Sequence, residues 1–452
     1  MLRGQIAGGM GTRRLLATVL ALVLLLVGGP VGAQTLEALF ARHGFAPEAV
    51  AVVVEEVEGG RRLVAHRAAE PGLPASTLKL ATALVALDVF GPEHRFATRL
   101  WFSGAPDGTG RLAGDVIITG GGDPLLDLDG LMALASGLHS HGVRDVAGRF
   151  VLDDTALPRL AQVNPDQPVE AGYNAGIGAL SVAFNRVQRP AGGDFTIPAL
   201  RERGPAWRRL PGDRPAVVPV QDAGLHAALV FRDLAASLGV GRPRPARGAT
   251  PADARLVARV DSRPLRDIVQ AMLLYSNNQI AEIIGLAATR AATLEASAEA
   301  TAQRLRTALP EVDWRGFRLT NHSGLDPAAR ATADQLLAIL ALAELRHAIL
   351  PLLPAAGWSG SLEGRFRTPE AALRVWAKTG SLDFASALVG YVLPPTGRPL
   401  RVAILITDEA GRRTRDTVEA PTGPMRRAVD DFTARARDLR DDLALWALAQ
   451  GG

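Results

Sequence analysis

Apolar positions along the chain change their period from region to region. In "EAVAVVVEEVEGGRRLVAHRA" (48–68) two apolar runs flank a Gly-Gly pair, which predicts two strands joined by a hairpin turn. In "STLKLATALVALDVFG" (76–91) apolar residues cover most faces of a helical period, so this segment predicts a buried helix, with Pro74 ahead of it and Gly91 closing it. Short strand patterns such as "RFATRLWFSG" and "GRLAGDVIITGGGD" follow, and proline and glycine are dense from Pro190 to Pro251. We read residues 96–261 as a β-rich insert, in one or two lobes. Helical periods return in "PLRDIVQAMLLY" and in "QIAEIIGLAATRAATLEASAEATAQRLRTAL", on either side of the break "SNN", and again over 333–353. "SALVGYVLPPTGRPLRVAILIT" (386–407) predicts a hairpin around Pro394, Pro395 and Gly397. The tail from Pro424 to Gln450 carries a stripe of Met425, Val429, Phe432, Ala436, Leu439, Leu443 and Trp446 at four-and-three spacing, the mark of an amphipathic helix.

The first segment stands outside this pattern. Arg3, Arg13 and Arg14 precede the apolar run "LLATVLALVLLLVGG", and "PVGAQ" offers a small-residue cleavage site after Ala33. We read residues 1–33 as a secretory signal peptide, against the alternative of a retained anchor, because the run is short for a spanning helix. Export to the periplasm follows from that reading. The segment holds three arginines and no acids, so the chain's net charge of +4 falls to +1 without it. So balanced a surface gives no case for a nucleic-acid partner. The absence of cysteine excludes disulfides and thiol chemistry, and 452 residues are enough to bury a core without them.

Composition singles out two residues. Of 50 lysines and arginines, only Lys79 and Lys378 are lysines. The two cations are interchangeable in solvent but not where a proton must move, since a desolvated ammonium can become a base and a guanidinium does not. Ser76 stands three residues before Lys79, a spacing that puts hydroxyl and amine on one helix face. The first turn of a helix favours a developing alkoxide and lowers the pKa of a nearby lysine. Ser76 is therefore a candidate nucleophile and Lys79 its base. In "KTGSL" (378–382), Lys378 and Thr379 set a charge beside a hydroxyl, suited to a carboxylate, and Gly380 permits close backbone approach; an ordinary turn would look the same. In "YSNNQIAE" (275–282), Ser276 and Asn278 lie in a break between helices, where Asn278 reads either as a helix cap or as a substrate contact.

The three segments, S-x-x-K, S-x-N and K-T-G in this order, form the motif set of penicillin-binding proteins and serine β-lactamases. The chain resembles the low-molecular-mass D-Ala-D-Ala carboxypeptidase/endopeptidase branch of the penicillin-binding proteins, which carries a large insert after its first motif. "GRLAGDVIITGGGDPLL", "GIGALSVAFN", "HSGLD" and "GSLEGRF" are similar to further landmarks of that branch, and the resemblance covers nearly all of the chain after residue 33. Two landmarks depart: Asn321-His322 stands where Asp-Gly is common, and Gly360-Ser361-Leu362 where Gly-Thr-Leu is common.

The resemblance implies an α+β fold: a catalytic domain with an antiparallel sheet flanked by helices, formed by residues 34–95 and 262–452, around the insert 96–261. It implies that Ser76 attacks the penultimate D-Ala carbonyl, that Lys79 takes its proton, and that Ser276 helps protonate the leaving amine. Asn278 would bind a substrate amide, and Lys378 and Thr379 the terminal carboxylate beside Gly380. The N–H groups of Ser76 and Ser381 would form the oxyanion hole. It implies peptidoglycan peptides ending in D-Ala-D-Ala as substrates, β-lactams as covalent inhibitors, and no metal or organic cofactor. A non-catalytic wall-binding protein, or a β-lactamase or esterase on the same fold, are the competing functions. Intact motifs oppose the first, and the long insert and GGGDP segment oppose the second.

Other signals carry less. "GGGDPLLDLDG" lacks the lysine of a phosphate loop and the ligand pattern of a calcium loop, and reads as a turn. His139 and His141 end a helical stretch rather than sharing a strand face, which disfavours a metal, and His322 reads as a turn residue. The tail helix alternates Arg with Asp, so packing on the catalytic domain is favoured over more than peripheral membrane contact.

Overall fold

A computed structural model describes residues 35–190, 192, 194–200, 206–211, 216–241, 244–418 and 421–450. The signal-peptide reading of residues 1–33 lies outside them.

A five-stranded antiparallel sheet organises the molecule. Its order is Val375–Leu382, Ala385–Val392, Leu400–Thr407, Val50–Glu56 and Arg62–His66. Both predicted hairpins are present, and strands from the two ends of the chain meet where Val52 pairs with Ile404. "KTGSL", expected ahead of a strand, is itself strand, and pairs so that Gly380 faces Ala387. Burial on both faces explains why the two central strands are almost unbroken apolar runs.

Each face is covered by a different set of helices. On one, Ala387, Val389 and Leu405 pack against Leu80 and Leu84 of Lys79–Phe90 and Leu336 and Leu340 of Ala333–His347. On the other, Leu388, Val402 and Ile404 pack against Val429, Phe432, Leu439 and Leu443 of Gly423–Gln450. That helix buries the predicted stripe, with Met425 and Trp446 partly covered at its ends.

Five strands drawn from between residues 97 and 261 form a second sheet, ordered Pro245–Arg247, Phe150–Asp153, Val116–Thr119, Ala97–Phe102 and Arg255–Asp261, with both parallel and antiparallel pairs. The chain leaves the central part and returns to it at one point, where Phe96 and Ser262 exchange backbone and hydroxyl hydrogen bonds of 2.8 and 2.9 Å. The region is less purely β than its turn-rich sequence suggests. Helices Leu128–Ser140 and Ala223–Ser237 pack Leu131, Leu134 and Phe231 onto Leu100, Phe102 and Phe150.

Several helix limits differ from the periodicity. The run 279–309 is two helices, Asn278–Thr289 and Leu294–Ala308, because Arg290 turns left-handed at φ 56° and Thr293 caps a new start. The stretch 333–353 ends as α-helix at His347: Ala348 is left-handed and Pro351 follows in a 3₁₀ turn. Among the described residues no helix is long and apolar enough to cross a membrane.

Candidate active site

The nucleophile candidate sits in a tight turn rather than in an α-helix. Ala75–Leu78 is a 3₁₀ turn that runs directly into the helix Lys79–Phe90. With three residues per turn, side chains at i and i+3 eclipse one another. Lys79 Nζ accordingly lies 2.9 Å from Ser76 Oγ. Ala75 holds a left-handed φ of 47°, a conformation unfavourable for a residue with a Cβ and held only by its surroundings. Those surroundings are close-packed glycines. A Cβ on Gly324 would stand 2.0 Å from the Ala75 carbonyl oxygen, and one on Gly380 would stand 2.7 Å from the Pro74 carbonyl oxygen and 3.0 Å from Ser76 N. The strand carrying Lys378 can press against the turn that holds Ser76 only because residue 380 has no side chain.

Lys79 is fully buried at 0% exposure. Its Nζ is also 2.8 Å from Asn278 Oδ1 and 2.7 Å from the Ser323 carbonyl oxygen. Three protons on nitrogen thus meet three acceptors. Burial pulls the Lys79 pKa down to about 7, opposed by the charge of Glu282. In the neutral amine, two N–H bonds stay on Asn278 and Ser323 and the lone pair is left facing the Ser76 hydroxyl. That is the geometry a general base requires.

Asn278 is the first residue of the helix Asn278–Thr289 but not its cap. Asn277 caps it, accepting from Ile280 N at 3.1 Å. Asn278 is thereby free to turn inward, where its Nδ2 donates to the Tyr173 carbonyl oxygen at 3.1 Å. The preceding break comes from Ser276, left-handed at φ 52°. The Ser276 hydroxyl has no hydrogen-bond partner among the described residues, so the structure places Ser276 beside Asn278 in the chain without tying it to Lys79 or Lys378.

Lys378 is likewise fully buried, and its Nζ donates to the Thr379 carbonyl oxygen at 2.6 Å. Burial pushes its pKa well down, helped by the positive charges of Lys79 and Arg440. Thr379 Oγ1 donates to Ser361 Oγ at 3.0 Å, linking the third motif to "GSL". The strand Val375–Leu382 is an edge, and Ala377 N bonds outward to the Pro354 carbonyl oxygen. Backbone direction repeats every second residue in a strand. The Ser381 N–H therefore points to the same free edge, and the Gly380 carbonyl points into the sheet.

Sequence reasoning missed Glu282. Its carboxylate is fully buried and accepts from the N–H groups of His322 and Ser323, each at 2.9 Å. Burial raises its pKa to about 7. Glu282 lies one turn beyond Asn278, so one helix face delivers both groups toward Lys79. A lone carboxylate inside the apolar run "QIAEIIGLAA" was the available signal. His322, read as a turn residue, does lie in a bend, but not at the surface. It is fully buried against Gly285, donates or accepts at Ser297 Oγ (2.7 Å) through Nε2, and is held neutral by burial, with a pKa pushed down to about 3.

Known proteins agree with this architecture. The sequence profile of the D-Ala-D-Ala carboxypeptidase 3 (S13) family matches residues 33–195 and 212–424. A D-alanyl-D-alanine carboxypeptidase of Actinomadura sp. (strain R39) is 30% identical over 408 residues, covering 76% of this chain and 75% of the relative. A carboxypeptidase of Mycobacterium tuberculosis is 30% identical over 377 residues, 77% of this chain and 74% of its own. The crystal structure of penicillin-binding protein 4 from Haemophilus influenzae superposes with a TM-score of 0.70 at 20% identity, over 90% of this chain and 99% of that one. The profile spans most of the chain and all three motif segments, and the chain belongs to the D-Ala-D-Ala carboxypeptidase 3 (S13) family, the penicillin-binding type of serine peptidase.

Proposed function

We propose that this protein cleaves peptidoglycan stem peptides or cross-links at D-Ala-D-Ala ends through an acyl-enzyme on Ser76. The observation that carries the reading is a fully buried amine, Lys79, 2.9 Å from the Ser76 hydroxyl. Lys79 takes the Ser76 proton as Oγ attacks the penultimate D-Ala carbonyl. The N–H groups of Ser76 and Ser381 hold the developing oxyanion, the kind of contact whose loss costs roughly 10²–10³ in rate. The C–N bond breaks, and Ser276, with Lys378 nearby, passes a proton to the leaving D-Ala amine. Water then releases the product. Asn278 binds a substrate amide, and Lys378 and Thr379 hold the terminal carboxylate beside Gly380. β-Lactams, which present a similar carbonyl and carboxylate, acylate the same serine.

In this reading residues 96–261 are an insert on the catalytic part, and the Tyr173 carbonyl brings it to Asn278. The enzyme works in the periplasm, after cleavage near Ala33. Intact-mass measurement of residues 34–452 with penicillin tests the central step. We expect one penicillin mass added to the wild type and none to Ser76→Ala, with D-alanine released from a pentapeptide only by the wild type. A wild type that takes up no label would favour a non-catalytic wall-binding protein, and rapid multiple turnover of penicillin a β-lactamase.

A further inference from the structure

Beneath the edge strand lies a buried cation that none of the three motifs contains. Arg440 is in the middle of the C-terminal helix Gly423–Gln450 and is only 2% exposed. One terminal nitrogen, Nη1, donates to the Ser386 hydroxyl at 3.0 Å, the Ala387 carbonyl at 3.1 Å and the Gly380 carbonyl at 3.3 Å. Among the described residues its Nε has no hydrogen-bond partner, and the one carboxylate within ion-pair distance, Asp441 at 3.8 Å, is shared with Arg365. Burying a guanidinium with so little compensation is costly, and stability alone would be better served by an apolar residue.

The Gly380 carbonyl belongs to the same peptide unit as the Ser381 N–H. A trans peptide points its C=O and N–H in opposite directions, and hydrogen bonds in series polarise one another. A cation on the Gly380 oxygen, inside the sheet, therefore strengthens and aims the Ser381 N–H at the free edge. We infer that Arg440 is a positioning residue for the oxyanion hole, acting through the Gly380–Ser381 peptide from the opposite face of the sheet. This rests on the acyl-enzyme reading above. It explains why the strand tolerates a glycine at 380 from both sides: the nucleophile turn occupies one face and the guanidinium reaches its carbonyl from the other.

The test uses the full mature chain with Arg440→Met, Arg440→Lys and Ser386→Ala. Intact mass with penicillin first establishes acylation of Ser76, which tests the reading beneath this one. Isotope-edited infrared spectroscopy of the acyl-enzyme then reports on the hole itself, because the ester carbonyl stretch falls as its oxygen is more strongly hydrogen-bonded. We expect Arg440→Met to acylate about tenfold more slowly, below the full loss of a donor, with the ester band at higher wavenumber. Ser386→Ala, which spares the carbonyl bonds, shifts the band less. Arg440→Lys falls between, and makes the same comparison where the methionine variant does not fold. A folded variant at 440 whose ester band and acylation rate match the wild type overturns the proposal, as does an equal band shift in Ser386→Ala.

Discussion

Lys79 and Lys378 owe their chemistry to desolvation. In solvent either could be arginine, as each of the other 48 lysine-or-arginine positions in this chain is. At full burial the ammonium becomes the costly form of both, and at Lys79 a base appears near neutral pH. Lys79→Arg keeps a charge that cannot be given up, so we expect acylation by penicillin to fall at least 10²-fold in a folded product, read by stopped-flow. The same logic fixes a pH dependence. Lys79 has a pKa lowered to about 7, and in the proposed mechanism its neutral form is the one that takes the Ser76 proton, so acylation should decline as pH drops below that value. The Glu282 charge favours the ammonium, and removing it lowers the Lys79 pKa further. Glu282→Gln should therefore move the acid limb of the acylation profile to lower pH. A limb displaced upward would contradict this assignment.

Between elements, the site depends on close backbone approach. The 3₁₀ turn at Ala75–Leu78 and the strand Val375–Leu382 meet where Gly380 has no Cβ. Gly380→Ala would place a carbon 2.7 Å from a backbone oxygen, and backbone must move to accept it. A displacement on the order of 1 Å at reacting groups can cost about 10² in rate. We expect acylation to drop by about that factor while the far-ultraviolet circular dichroism is unchanged. Asn277 and Asn278 divide the work at the next helix start. Asn277→Ala should lose about 1 kcal/mol in denaturant unfolding, the usual worth of a cap, with little change in acylation. Asn278→Ala should slow acylation, since it removes a partner of Lys79 Nζ.

Across the whole molecule, the two faces of one sheet do different jobs. One face carries the helix Lys79–Phe90, and the other is sealed by the C-terminal helix through Phe432, Leu439 and Leu443. Phe432→Ala empties a buried aromatic position and should cost about 3–5 kcal/mol, measured from the denaturant midpoint. Much of this frame was legible beforehand. The hairpins and the tail stripe follow from local periodicity, which backbone geometry imposes within a few residues. The helix break at Arg290 and the helices inside the turn-rich region were not, since left-handed turns and packing at long range leave faint local marks.

Ser76, Lys79, Asn278 and Lys378 were chosen by residue type and spacing, because scarce lysines and a three-residue interval are local facts. Glu282, His322 and Arg440 were decided by tertiary structure. Arg440 is one of many arginines, and no neighbour in sequence distinguishes it from those in solvent. What sets it apart is that a helix at the end of the chain lies under the strand holding Gly380. Sequence fixes which groups can do chemistry, because that is covalent. Folding fixes which of them are stripped of water and placed within about 3 Å of one another, because desolvation and distance belong to the packed chain alone.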